Sequence, residues 1–215
     1  MPCSKWAGST GGACSRAARA PFGITRCKVN PYGTVLWSLW LAWLAYWWIS
    51  SRGAKPNRRR ESFSSRASHG LPLIVAGALM VHRSSGFLAA RVLPANLLVF
   101  VAGTAVVATG LLFCVWARVH LGANWSASVT VKQGHELVRT GPYRLVRHPI
   151  YTGLLLALLG TAIARGDIQG LAAVAVAGAA FWQKLRIEER WMQETFGDAY
   201  ARYRAEVPAL VPFVR

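Results

Sequence analysis

The sequence predicts an all-α fold, a polytopic bundle of about five membrane-spanning helices. Three observations predict it. Hydrophobic residues make up 53% of the 215 and charged residues only 15%, against about a quarter charged in soluble domains. Several apolar stretches approach the roughly 20 residues a helix needs to cross a bilayer. The basic excess, a net charge of +17, falls in the short polar segments between those stretches, where it sets membrane orientation. That placement excludes a nucleic-acid interface: no soluble basic face, aromatic-plus-basic RNA motif or zinc-finger spacing is present.

Residues 1–28 are small, basic and nearly free of acids, and are expected to be a disordered tail or a targeting segment. From Lys28 to Arg52 no residue is charged, and Trp37, Trp40, Leu44 and Trp47 recur at helical spacing, which predicts a first span. Residues 52–66 form a basic connector. A second helix is expected over about 69–90, because Arg83 interrupts an apolar run that Phe87 to Leu93 resumes. Asn96 to Ala117 carries no charge and gives the clearest span. His148 to Ala164 and Ile168 to Gln183 complete the set. The fifth helix is rich in the alanine and glycine that let helices approach closely in lipid. The link Arg165–Gly170 is too short for anything but an antiparallel hairpin. Residues 29–117 thus form an N-terminal set of helices, and 118–215 a C-terminal unit.

With five spans, the connector 52–66, the segment 118–147 and the tail 184–215 share one side, and they hold 17 of the 25 lysines and arginines. The positive-inside rule makes that side cytoplasmic. The segment before the hairpin and the tail after it can therefore meet and build one site at the cytoplasmic rim.

The residues able to do chemistry lie in those two stretches. Pro149 suits the first turn of the fourth helix, so Arg147 and His148 flank a helix N-terminus whose free N–H groups favour a carboxylate or phosphate. Tyr151 faces the same mouth. Lys184 and Glu188, four residues apart, share a helix face, and Glu189 adds a second acid. No metal site is expected, because His148 and Glu188 have no further ligand at the right spacing. Cys3, Cys14 and Cys27 lack zinc spacing, and Cys114 reads as a buried small residue. There is no dinucleotide-binding glycine pattern, P-loop or nucleophile elbow.

The run GHELVRTGPYRLVRHPIYTG from Gly134 to Gly153 resembles the core of the isoprenylcysteine carboxyl methyltransferase family, a relative of the phospholipid methyltransferases. Glu188-Glu189, Phe196-Gly197, Tyr200, Tyr203, Pro208 and Pro212-Phe213 follow in matching order, so the resemblance covers about residues 118–215. It implies an integral membrane enzyme that uses S-adenosylmethionine. It implies that Lys132, His135, Glu136, Leu137, Val138, Tyr143, His148, Pro149, Ile150 and Tyr151 line the cofactor and that Glu188 holds one of its polar groups. It places Lys184 where the family has a substrate-meeting arginine. The acceptor is expected to be lipophilic. A carboxylate acceptor would be oriented by Arg147 or Lys184, and an amine acceptor would need Glu188 or Glu189 as base. Tyr200 and Tyr203 are expected to close the site as a lid. The other readings are a phospholipid N-methyltransferase and a non-enzymatic membrane protein of similar fold.

Overall fold

A computed structural model of the chain describes residues 31–53, 57–82, 84–122, 130–132 and 137–214. The expectations for residues 1–28, and for His135 and Glu136, lie outside the described residues. Helices dominate: α1 (Pro31–Ser50), α2 (Phe63–Val81), α3 (Leu97–Leu121), α4 (Pro149–Arg165), α5 (Ile168–Phe196) and α6 (Asp198–Glu206). The all-α expectation needs one addition. Strands β1 (Asn57–Arg60) and β2 (Thr130–Lys132) pair antiparallel, with Asn57 opposite Lys132 and Arg60 opposite Thr130. This ribbon ties the connector after α1 to the segment after α3.

Two helices differ from their predicted bounds. The second begins at Phe63, not near 69, because Ser62 caps it by accepting a hydrogen bond from the Ser65 N–H at 3.3 Å. It stops at Val81, not near 90, because His82 turns to extended backbone with ψ 147°. The fifth helix does not end at Gln183. Its inward stripe Ala173, Ala177, Phe181, Leu185 and Glu189 is buried at helical spacing throughout, so packing carries the helix past the apolar segment. Lys184, Glu188 and Glu189 therefore stand on a rigid extension of the hairpin.

The expected hairpin is present. Gly166 takes φ 70°, a left-handed conformation open to glycine at little cost. Asp167 then caps α5, accepting from the Gly170 N–H at 2.8 Å, and pairs with Arg165 at 2.9 Å. In space the helices contact one another in the order α1–α3–α4–α5–α2. The tightest contact is between α3 and α4. A Cβ on Gly110 would lie 2.5 Å from the Gly153 carbonyl oxygen, and one on Gly160 would lie 2.6 Å from that of Gly103. Outside them α1 lays Leu36, Trp40 and Trp43 against Val107, Leu111 and Ala157. The Trp40 indole N–H also donates to the Thr161 hydroxyl at 3.2 Å.

By length and hydropathy, α3 is apolar enough to cross a membrane. A cavity of about 790 Å³ opens between α1 and α2, bordered by Met80, Ser84, Asn96, Ala164 and Arg165. It lies at the hairpin-turn end of the bundle, away from the polar cluster described next.

Candidate functional site

The site forms where α4 begins and α5 leaves the apolar part of the bundle. Gly141 opens it. Its φ is 58°, and a Cβ there would lie 2.3 Å from the His120 ring, so only glycine fits the turn. The 3-10 turn Gly141–Arg144 that follows buries Pro142 and Tyr143. The chain then runs beside the C-terminal tail: the Arg147 N–H donates to the Pro208 carbonyl at 2.8 Å and the His148 N–H to that of Ala209 at 3.0 Å. The Thr152 hydroxyl donates to the Leu210 carbonyl at 2.7 Å. The Tyr203 hydroxyl donates to the Tyr143 carbonyl at 2.7 Å. The two polar stretches are therefore held side by side.

At its centre the Tyr151 hydroxyl donates to Glu188 at 2.5 Å. His148 lies between both acids, its Nε2 3.2 Å from Glu189 and its Nδ1 3.6 Å from Glu188. The His148 and Tyr151 rings stack at 5.6 Å, and Tyr151 stacks on Phe181 at 4.9 Å. The Lys184 ammonium sits 5.3 Å from the Tyr151 ring centroid, within cation–π range. The column fixes the imidazole and the Glu188 carboxylate together. The Glu188 side chain remains 24% exposed while Glu189 and Arg147 are each 9% exposed, so Glu188 is the acid that can still meet a ligand.

Charge follows from these contacts. Burial opposes ionisation of Glu188, but hydrogen bonds from His148 and Tyr151 and the charge of Lys184 outweigh it and lower its pKa. Burial is likewise overcome at Glu189, where His148 and Arg147 hold the carboxyl at about 2. Burial disfavours the His148 imidazolium, yet its hydrogen bonds to Glu188 and Glu189 raise its pKa above the ordinary 6.5. The acids stabilise the fold above their ordinary 4.5 and lose that contribution as pH falls through their lowered values. His148 contributes fully below 6.5 and loses its share as pH rises through its raised value. Stability should therefore be greatest between these limits. Melting the detergent-solubilised protein against pH, beside His148→Gln, should show the wild-type advantage shrinking on the alkaline side.

Several expectations change. Arg147 does not face an anion at the helix mouth. Its Nε and Nη2 donate to Glu189 at 2.8 and 2.6 Å, and Nη1 donates to the carbonyls of Arg204, at 3.1 Å, and Val207. Its fork is filled by the tail, so it fastens α6 to α4. Tyr200 and Tyr203 are buried against Val207, with Leu137, Met192 and Phe196 around them, so here they pack the tail against α5. Leu137 is thereby placed against α6. Pro149 is buried at the start of α4. Ile150 packs beside Tyr151, and its carbonyl faces the Cys114 thiol at 3.3 Å. Val138 is half-buried, and Lys132 belongs to β2 opposite Asn57.

Sequence reasoning missed Glu61 and His69. Both are buried, 6% and 5% exposed, with His69 Nδ1 3.6 Å from Glu61 Oε1. The charges of Lys184 and Glu188 act on the His69 ring, so the pair borders the same cluster. A signal existed: Glu61 is the one acidic residue in the first 135. Among the described residues, no group of three or more His, Cys, Asp or Glu side chains could hold a metal.

Comparison with known proteins points the same way. Residues 98–199 match the sequence model of a family described as phospholipid methyltransferase. The protein-S-isoprenylcysteine O-methyltransferase of Schizosaccharomyces pombe is 36% identical over 101 residues, 46% of this chain and 43% of that protein. Protein-S-isoprenylcysteine O-methyltransferase B of Arabidopsis thaliana is 34% identical over 84 residues, 39% of this chain and 43% of that one. The cobalt-zinc-cadmium resistance protein CzcN of Cupriavidus metallidurans is 32% identical over 94 residues, 43% of each chain. The matched part is thus less than half the length of these relatives.

Proposed function

We propose, from the match of residues 98–199 to the phospholipid methyltransferase model, an integral membrane enzyme that methylates a lipophilic acceptor, preferably a carboxylate, with S-adenosylmethionine. The observation that carries the reading is Glu188: ionised, partly exposed, and held by Tyr151 at 2.5 Å where α4 begins beside α5. Such a carboxylate fits a cofactor that bears an ammonium and ribose hydroxyls. When bound, the cofactor supplies an electrophilic methyl group. The chain's part is to hold Glu188 through Tyr151 and His148, and to line the cofactor with Leu137, Val138, Tyr143, Pro149 and Ile150, joined by Lys132, His135 and Glu136. Lys184, beside Tyr151, orients the acceptor anion. Of the two cations expected in that role, Arg147 is engaged by Glu189 and the tail. Positioning of this kind supplies most of the acceleration in a displacement.

The bundle would be multi-pass. An uncharged α1 of 20 residues, α4 of 17 and the apolar first part of α5 flank α3, lengths close to a bilayer's hydrocarbon core. α2 packs along α5 through Ala76, Ala177 and Phe181 and completes the five spans. The basic connector and tail put the site on the cytoplasmic face.

Calorimetry on the detergent-solubilised protein tests the cofactor reading. Glu188→Ala should weaken S-adenosylmethionine binding by about tenfold to a hundredfold, the worth of a charge-assisted hydrogen bond of about 1.5–3 kcal/mol. Lys184→Ala should weaken it less, because Glu188 keeps its hydrogen bonds from His148 and Tyr151. Wild-type binding no tighter than about 1 mM, near −4 kcal/mol, counts against the enzyme. Labelled cofactor fed to membranes then identifies the acceptor class. Base-labile methyl esters fit a carboxylate; stable methylamines would replace it by an amine, with Glu188 as base.

A further inference from the structure

The reading above leaves two buried polar side chains unused. Glu61 follows β1, and His69 lies within α2. One Glu61 oxygen accepts from the Ser65 hydroxyl. The other, Oε2, has no hydrogen-bond partner among the described residues, and His69 Nδ1 faces Glu61 Oε1 at 3.6 Å. Buried polar atoms are seldom left so, because each unsatisfied group costs about 1–3 kcal/mol. Geometry places the pair against α5 at the level of the site: the Gln183 amide donates to the Ser68 hydroxyl at 2.9 Å, which sets Ser68-His69 beside Gln183-Lys184. The charged groups acting on His69 are Glu61 from the connector and Lys184 and Glu188 from α5.

The chemistry of a carboxyl acceptor explains what such a pair would do. A carboxylic acid on a lipophilic molecule meets a low dielectric at the bilayer rim, which favours its neutral form. The neutral acid is a poor nucleophile, so its proton must go somewhere before the methyl group arrives. We propose that His69, backed by Glu61, forms the acceptor side of the site and takes the proton of a lipophilic carboxylic acid, leaving its carboxylate against Lys184. The inference rests on the methyltransferase reading. The acid's O–H bond breaks and an N–H bond forms on His69, whose new charge faces Glu61. Methyl transfer then forms the O–CH3 bond of the ester and breaks the S–CH3 bond of the sulfonium, whose pair stays on sulfur. His69 finally returns the proton to water. The sum is acid plus sulfonium giving ester, thioether and one proton.

The test uses the purified full-length protein with N-acetyl-S-farnesylcysteine as probe acid, comparing wild type with His69→Gln and Glu61→Gln across pH 6 to 9. At pH 6 His69→Gln should lower kcat/KM by about 10² or more, the usual scale of a lost proton-transfer group. The deficit should close as pH rises, because the acid then ionises unaided. Probe binding to cofactor-free protein should follow the same course. Glu61→Gln should give a smaller deficit of the same shape. S-adenosylmethionine affinity should stay at the wild-type value in both variants. A deficit equal at every pH, or a parallel loss of cofactor affinity, would show packing alone and overturn the proposal while leaving the methyltransferase reading intact. A wild type that fails to bind the cofactor overturns both.

Discussion

Arg147→Ala is expected to be among the most damaging single changes in the half that carries the site, lowering stability by about 3–5 kcal/mol. Arg147 and Glu189 meet at 2.6 Å with both side chains 9% exposed. Removing the cation leaves a buried carboxylate with His148 at 3.2 Å and the exposed Arg204 guanidinium at 3.7 Å beside it. It also strips the carbonyls of Arg204 and Val207 of their donor. Arg147→Lys should recover only part of the loss, since an ammonium lacks the fork that reaches Glu189 and the tail at once. Replacing both partners, as in Arg147→Met with Glu189→Leu, should be far milder than either charge removed alone, because no charge is then stranded. Equilibrium unfolding in detergent gives the stabilities, and limited proteolysis after residue 204 reports release of the tail. A cost near that of an exposed ion pair, under about 1 kcal/mol, would mean that water reaches the pair in solution.

This prediction also marks where sequence reasoning stopped. Arg147, His148 and Tyr151 were legible as site residues because a local motif at a helix start announces them. The Arg147 partners were not, because they come from α5 and the tail after it, 42 to 60 residues away. Glu61 and His69 were hidden by a longer separation, since α2 packs on α5 and sets Ser68 against Gln183, 115 residues on. The hairpin was readable because Gly166 and Asp167 terminate one helix and cap the next with local chemistry. The extent of α5 was not, because its buried stripe continues through a segment whose composition turns polar after Gln183. Periodicity of burial decided its length, and overall hydrophobicity did not.

The remaining large effect lies in the α3–α4 seam, and it separates packing from helix propensity. Sequence composition drew attention to the small residues of the fifth helix, yet the closest approach is made by Gly103 and Gly110 against Gly153 and Gly160. A methyl group on Gly110 would lie 2.5 Å from the Gly153 carbonyl oxygen and 2.6 Å from the Ala157 nitrogen. Both obstacles are backbone, so no rotamer change can relieve them and the helices must part. Gly77, within α2, has nothing within 4 Å of its Cβ position. Alanine gains about 1 kcal/mol over glycine in a helix interior at either site. At Gly77 that gain should appear as increased stability. At Gly110 it should be overwhelmed by overpacking, which costs typically about 1–3 kcal/mol and more where the backbone cannot shift. Gly110→Ala should therefore unfold more readily and Gly77→Ala less readily than wild type. α4 carries Tyr151 at one end of this seam, so parting α3 from α4 should also loosen the hold of Tyr151 on Glu188. Gly110→Ala should then weaken S-adenosylmethionine binding through the seam, and Gly77→Ala should not. If both substitutions stabilise the protein equally, the helices are not in backbone contact and the seam does not position the site.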